Sequence, residues 1–226
     1  MKASILILIL ISFYSFFISS CIVPESTHIA PNFYLLSHSN FDENYTASKI
    51  LNFKDLNKSI SSNAFYIKQV ELPFYLDDSR IVHRTDNGKI RFFENERWGE
   101  PLEEGVGRVL GANLARALNS HFYSVFPHRK RNGVHYDISI SFDRFERVSD
   151  REILLKGSWE LYSKDFREGV HPLLNGQEIV SVEINEREAK NSIINEVHAL
   201  SESLNVFAER IASSMSSVSK YSNSDL

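Results

Sequence analysis

Val134-His135-Tyr136-Asp137-Ile138-Ser139-Ile140-Ser141-Phe142 is the stretch that decides the fold, because its side chains alternate without a break. Val134, Tyr136, Ile138, Ile140 and Phe142 fall on one face, and His135, Asp137, Ser139 and Ser141 on the other. That is the pattern of an antiparallel strand with one face on a core and one in water. Leu155, Gly157, Trp159 and Leu161 repeat the period and supply a partner, joined through residues 147–151. Ile179 to Ile184 reads as a further, shorter strand of the same sheet.

Helices flank this sheet in sequence. On the N-terminal side, Pro101 suits a first helical position, and Glu100, Glu103 and Glu104 complement the positive end of a helix dipole. Leu102, Val106, Val109, Leu110, Leu114, Ala117 and Leu118 then recur at three- and four-residue spacing. Gly105, Gly107 and Gly111 each cost up to ~1 kcal/mol in a helix interior, so they imply either close packing on a neighbour or a loosened helix. On the C-terminal side, Ile193, Val197, Leu200, Leu204, Phe207, Ile211 and Met215 predict a long helix from about Glu186 to Ser214. Further upstream, Asn32 to Leu36 and Phe65 to Leu72 read as strands. Arg80–Arg84 and Lys89–Phe93 form a hairpin around Asp86-Asn87-Gly88. Between the first two strands, Ile50, Leu51, Phe53 and Leu56 could give a short helix. The order predicts an α+β fold, a mainly antiparallel sheet with two principal helices packed on one face.

Composition narrows the class. Apolar residues make up 42% and charged residues 24% of the 226, an ordinary globular balance. A net charge of −4 exerts no broad pull on nucleic acid. The basic run His128-Arg129-Lys130-Arg131 lies between two strand-like segments and reads as a solvated hairpin tip. The single cysteine, Cys21, has no partner for a disulfide within the chain.

The address of that cysteine gives it a purpose. Lys2 and the amino terminus form a positive n-region, and Ile5 to Ile18 is an apolar h-region shorter than the ~20 residues that span a bilayer. Ile18-Ser19-Ser20-Cys21 follows, and resembles the lipobox of bacterial lipoproteins, with Ile18 where Leu is commoner. The resemblance implies cleavage before Cys21, a diacylglyceryl group on its thiol and an acyl chain such as palmitate on its new amino group. Two or three chains anchor stably at ~0.8 kcal/mol per buried CH₂. An uncleaved anchor and an ordinary secretory signal are the alternatives. Ile22 stands where Asp often retains such proteins in the inner membrane, which by that sorting rule directs this one to the periplasmic face of the outer membrane. The expected organisation is a signal peptide over 1–20, a lipidated tether over 21–32 reaching at most ~35 Å, one domain over 33–216, and a flexible Ser-rich tail over 217–226.

No sequence motif asks for catalysis. Gly-x-Ser-x-Gly, a phosphate-binding glycine loop and His-Glu-x-x-His are all missing. His83, His121, His128, His135, His171 and His198 are scattered and read as surface residues. Asp77 and Asp78, if extended, point to opposite faces. No cofactor or metal is expected beyond the covalent lipid on Cys21.

One region resembles a known family. Val70-Glu71-Leu72-Pro73-Phe74-Tyr75-Leu76-Asp77, Arg80-Ile81-Val82 and Arg97-Trp98-Gly99-Glu100-Pro101-Leu102 are similar to the ABC-type transport auxiliary lipoproteins. Asp143-Arg144-Phe145-Glu146 and Gly157-Ser158-Trp159 fit the same layout. The longer Ser/Asn-rich segment after the first strand and Gly99 in place of Ala depart from it. The resemblance implies a Gram-negative envelope lipid-transport system. Its implied partners are an MCE-domain tube protein across the periplasm, an associated inner-membrane permease, phospholipid and further copies of this chain. A structural adaptor that pins such a tube without touching lipid is the other reading.

Tyr75, Leu76, Arg80, Arg97, Trp98 and Glu100 are the candidate partner or oligomer interface, since Tyr, Trp and Arg combine contact area with a polar handle. The bland alternative has Trp98 packing over the helix start and Arg97 in a surface ion pair worth little. The anchor is testable directly. Intact mass of the membrane-extracted protein should correspond to a chain starting at Cys21 plus acyl groups. Cys21→Ala should abolish both the added mass and outer-membrane fractionation; an unlipidated wild-type product would refute the anchor.

Overall fold

The computed structural model describes residues 29–38, 64–85, 88–163, 171–184 and 192–222. The expected signal peptide, Cys21, the expected helix around Leu51 and the Asp86-Asn87 pair lie outside the described residues. Met1–Ala30 and Pro31–Leu226 form separate units, and the fold belongs to the second. Its elements are β1 (Asn32–Tyr34), β2 (Phe65–Ile67), β3 (Arg80–Arg84), β4 (Ile90–Trp98), α1 (Leu102–Ala117), β5 (Tyr123–Val125), β6 (Tyr136–Ser149), β7 (Glu152–Ser163), β8 (Leu174–Glu183) and α2 (Ser192–Ser222).

The alternating stretch is the centre of β6. β6, β7 and β8 make an antiparallel meander, with Ile140 opposite Trp159 and Trp159 opposite Gly176. The other edge of β6 is shared by two strands. β2 runs parallel to its first half and β3 parallel to its second, where His83 meets Arg147. β5 adds outside β2, while β4 and then β1 add outside β3. The α+β expectation therefore holds, with one refinement. The long ladders are antiparallel, and the parallel pairings involve the short strands β1, β2, β3 and β5.

α2 lies across β6, β7 and β8, and α1 packs beside α2 and over β5. The faces follow the residue period. Ile153, Leu155, Trp159 and Leu161 of β7 are buried under α2, whereas Leu154, Ser158 and Glu160 between them are only half-buried. From α2, Val197, Leu200, Leu204, Phe207, Ile211 and Met215 answer them, all buried, each contributing ~1.5–3 kcal/mol. The ring of Phe207 meets Phe142 edge-on at 5.2 Å between centroids. The glycines of α1 do mark close packing. A Cβ at Gly111 would lie 2.5 Å from the Val125 side chain, so β5 sits where a larger residue would stand.

Several boundaries differ from the sequence reading for identifiable reasons. β1 stops at Tyr34, since Leu36 leaves the ladder to become a core residue at 3% exposure. β2 ends at Ile67, and the chain beyond it keeps only scattered bonds to β6. β4 continues to Trp98 and β8 begins at Leu174, both longer than expected. β5 is the strand-like segment before the basic run, and Tyr123-Ser124-Val125 is too short for a period to give it bounds. The basic run is not a hairpin tip, since β5 pairs with β2 and not with β6. The backbone of α2 reaches Ser222, past the expected start of a flexible tail at 217; serine costs little in a helix. The expected start at Glu186 lies outside the described residues.

Gly157 is the tightest test of this packing. A Cβ there would run into the Phe142 ring and come within 2.9 Å of the Ser141 carbonyl oxygen. Gly157→Ala should therefore lower stability by ~1–3 kcal/mol through overpacking. The denaturant midpoint should fall with an unchanged m-value.

Candidate functional site

β2 and β3 occupy one lane beside β6, and the chain between them bridges the gap. Lys68 N–H donates to Ile138 O at 3.0 Å, Glu71 N–H to Ile140 O at 3.0 Å, and Phe142 N–H to Glu71 O at 2.9 Å. Pro73, extended at ψ 143°, then turns the chain into a single 3₁₀ turn over Phe74–Leu76, closed by Leu76 N–H on Pro73 O at 2.8 Å. Neighbouring residues on so tight a turn point in different directions. Leu76 is buried at 3% exposure, while Phe74 stands 96% exposed.

Tyr75, between them, reaches the open face of the sheet. Its hydroxyl donates to Glu146 Oε2 at 2.5 Å. Arg84 Nε donates to Glu146 Oε1 at 3.0 Å, Arg144 Nε donates to the same oxygen, and the Phe145 N–H donates to Oε2 at 3.0 Å. The Glu146 side chain has no solvent exposure. A buried carboxylate is tolerable only when its lone pairs are filled this way. The Arg84 guanidinium also lies 5.0 Å from the Tyr75 ring centroid. Burial, reinforced by the bond to Glu146, pushes the Tyr75 phenol up to about 12. Tyr34 shows the same chemistry at the sheet edge, where burial and its 2.6 Å bond to Glu96 raise it to about 12.

A second charged cluster follows immediately. Arg80 grips Asp78 with Nε on Oδ1 at 2.9 Å and Nη2 on Oδ2 at 2.8 Å, and gives Nη1 to Glu94 at 2.6 Å. Hydrogen bonds from Arg80 hold the Asp78 carboxyl down at about 2. Arg80 also stacks 4.5 Å from the Phe92 ring centroid, and Arg97 Nη1 donates to Ser79 Oγ at 3.1 Å. Asp77 and Asp78 are thus not on a strand, and only Asp78 is engaged by Arg80.

These contacts sort the six candidate interface residues. Tyr75, Arg80 and Arg97 gather around the 72–80 turn. Leu76 and Trp98 are core residues at 3% and 8% exposure, so their part in any interface is to support the surface. Glu100 lies at the start of α1, in an ion pair with Arg108. Arg80 and Glu100 are paired within the chain, whereas the buried Nε of Arg97 has no hydrogen-bond partner. Phe74 and Arg84 are not among those six, because nothing in a Pro-Phe-Tyr-Leu string says which aromatic faces out. Glu146 carried a signal only through its place after Phe145.

His83 also departs from expectation. Its Nε2 lies 2.5 Å from Oε2 of the wholly buried Glu196, with Arg147 Nη1 at 3.6 Å from the same oxygen. The cluster fastens α2 to β3 and β6. Among the described residues, no group of three His, Cys, Asp or Glu is placed to hold a metal, and no helix is long and apolar enough to cross a membrane.

The sequence profile of the family described as "ABC-type transport auxiliary lipoprotein component" matches residues 54–212. Intermembrane transport lipoprotein PqiC of Escherichia coli K12 is 24% identical over 131 residues, covering 55% of this chain and 68% of that protein. The protein of the same name from Shigella flexneri matches to the same extent. In three dimensions, the crystal structure of a Xanthomonas campestris protein superposes with a TM-score of 0.57 at 10% identity, over 82% of this chain and 99% of that one. At that identity the likeness concerns the fold alone.

The Glu146 network makes two measurable statements. Glu146→Gln leaves Arg84 and Arg144 without their counter-charge, and should cost about 3 kcal/mol, near the lower end for a broken buried pair because both arginines remain partly exposed. The phenols of Tyr34 and Tyr75 hold their protons to about 12 in the folded state against 10.0 when free. The folded protein then binds more protons in that window, so stability present below pH 10 should fall as pH rises toward 12. Tyr75→Phe should flatten the decline in alkaline denaturation curves.

Proposed function

This chain belongs to the ABC-type transport auxiliary lipoprotein family, and from that premise we propose that it is the lipid-anchored outer-membrane component of an envelope lipid-transport system. Cys21, acylated, holds it at the periplasmic face. An MCE-domain tube protein reaching from an inner-membrane permease docks on the domain, and several copies assemble around the route that phospholipid takes.

The observation that carries this reading is the exposure of Phe74 on a turn that the Tyr75–Glu146–Arg84 network immobilises. A large apolar side chain held rigid in water loses little entropy when a partner covers it. Hot spots combine a central anchor side chain with surrounding contacts that exclude water. At 96%, Phe74 is the most exposed large apolar side chain among the described residues. The adaptor reading, in which the domain pins the tube without touching lipid, shares this docking surface and differs only in what travels past it.

A photo-reactive phenylalanine analogue at position 74 tests the proposal in cells. Crosslinks should form to an MCE-domain protein or to a second copy of this chain, and Phe74→Ala should weaken recovery of that partner roughly tenfold, the ~1.4 kcal/mol of a modest hot spot. Position 74 crosslinking to neither would refute the docking surface. Phospholipid crosslinked within the recovered assembly would decide for transport over the adaptor.

A further inference from the structure

We propose that the cleft between the start of α1 and the β5–β6 connection is a binding site for a phosphoethanolamine-type phospholipid headgroup; the proposal rests on the lipid-transport reading and names the site and ligand chemistry.

The basic run found in the sequence forms one wall. It doubles back under β5 and is pinned there. Phe126 N–H donates to Ile67 O at 3.0 Å, His128 N–H to Val125 O at 2.9 Å, and Arg131 N–H to Ser124 Oγ at 3.4 Å. The charges on this fixed backbone are unequally engaged. Lys130 is paired with Asp137 at 2.6 Å, and Arg108 with Glu100. Among the described residues no carboxylate pairs with Arg129 or Arg131; the Arg131 guanidinium lies over the Phe122 ring at 5.8 Å, which leaves its N–H edge free to donate.

Arg129, Arg131, His121 and His128 line one cleft of about 450 Å³, with Tyr123 and Phe126 as its apolar side. Two unpaired guanidiniums facing one space match a phosphoryl group, which accepts several N–H donors at once. The opposite wall carries Glu100, neutralised by Arg108, and Glu104, which has no ion partner among the described residues. A site with two free cations and one free carboxylate is complementary to a headgroup that has both a phosphate and an ammonium. A plain anion would meet Glu104 as a repulsive neighbour. Arg108 also donates to the Leu36 carbonyl at 2.9 Å, and the neighbouring Leu35 is 56% exposed, an apolar side chain near the cleft for the first methylenes of the lipid.

Membrane-extracted, full-length protein in neutral detergent would be titrated with dihexanoyl phosphatidylethanolamine and read by native mass spectrometry. Dihexanoyl phosphatidylglycerol and inorganic phosphate would be run in parallel. Saturable binding should favour the ethanolamine lipid. Arg129→Ala with Arg131→Ala should weaken both lipids at least tenfold, and Glu104→Gln should remove the preference while leaving binding. All these side chains are at the surface, and unchanged circular dichroism would establish that the variants fold. Absence of binding, equal binding of inorganic phosphate, a preference for the glycerol lipid, or indifference to the arginine pair would each overturn the site. If binding fails while crosslinking at position 74 persists, the cleft is wrong and the transport reading stands; binding that survives when crosslinking fails separates the two in the other direction.

Discussion

β6 is longer than any one strand available to pair with its second edge, and the rest of the structure depends on how that mismatch is resolved. Tyr136–Ser149 faces β7 along nearly its whole length on one side. On the other, β2 covers the first part and β3 meets the last. Backbone donors and acceptors between them cannot be left dry and unpaired, so the linking chain hugs β6 as far as Glu71 and then swings out. The Leu-Pro-Phe-Tyr-Leu turn is the resulting protrusion. Its location is a property of strand lengths, and its rigidity comes from side chains.

The same strand supplies that rigidity through an irregularity. Phe142 pairs with Gly157 and Arg144 with Lys156, leaving Asp143 as an extra residue in the ladder. The phase of β6 shifts there, so that Phe142 and Phe145 both face the helices, as their ring contact at 5.7 Å requires. Glu146 is thereby delivered to the opposite face, beneath Tyr75. An ionised carboxylate in that position would be costly on its own, but four donors converge on it, two of them cationic. The bulge thus joins the core under α2 to the turn on the open face.

The period-two and period-3.6 patterns carried most of the architecture. β6, β7, α1 and α2 were legible because each is long enough for its apolar face to repeat several times. Of the short strands, β1, β2 and β3 were legible as strands but not in their parallel pairing. β5 has three residues, and its pairing with β2 is determined by what Gly111 allows above it. The candidate surface was legible as a region and not as residues. Tyr75 and Trp98 look equally suited to an interface in sequence, yet one covers a buried carboxylate and the other is core. Phe74 looks like a core residue and is almost wholly in water. His83 and Glu196 lie 113 positions apart, beyond the reach of any local pattern.

The parallel pairings also constrain the order in which the molecule can assemble. Asn32 is partnered by Glu96, and Phe65 by both Tyr123 and Tyr136. A chain that emerges N-terminus first therefore presents β1 and β2 long before their partners exist. Closing those loops is slow compared with zipping the β6–β7–β8 meander and laying α2 on it. The C-terminal half becomes the template, and the N-terminal strands β1 and β2 are the last to find their places. During that interval, Phe65 and Ile67 are exposed to solvent and to other chains, which makes the early-emerging third of the protein the part most dependent on a holding chaperone.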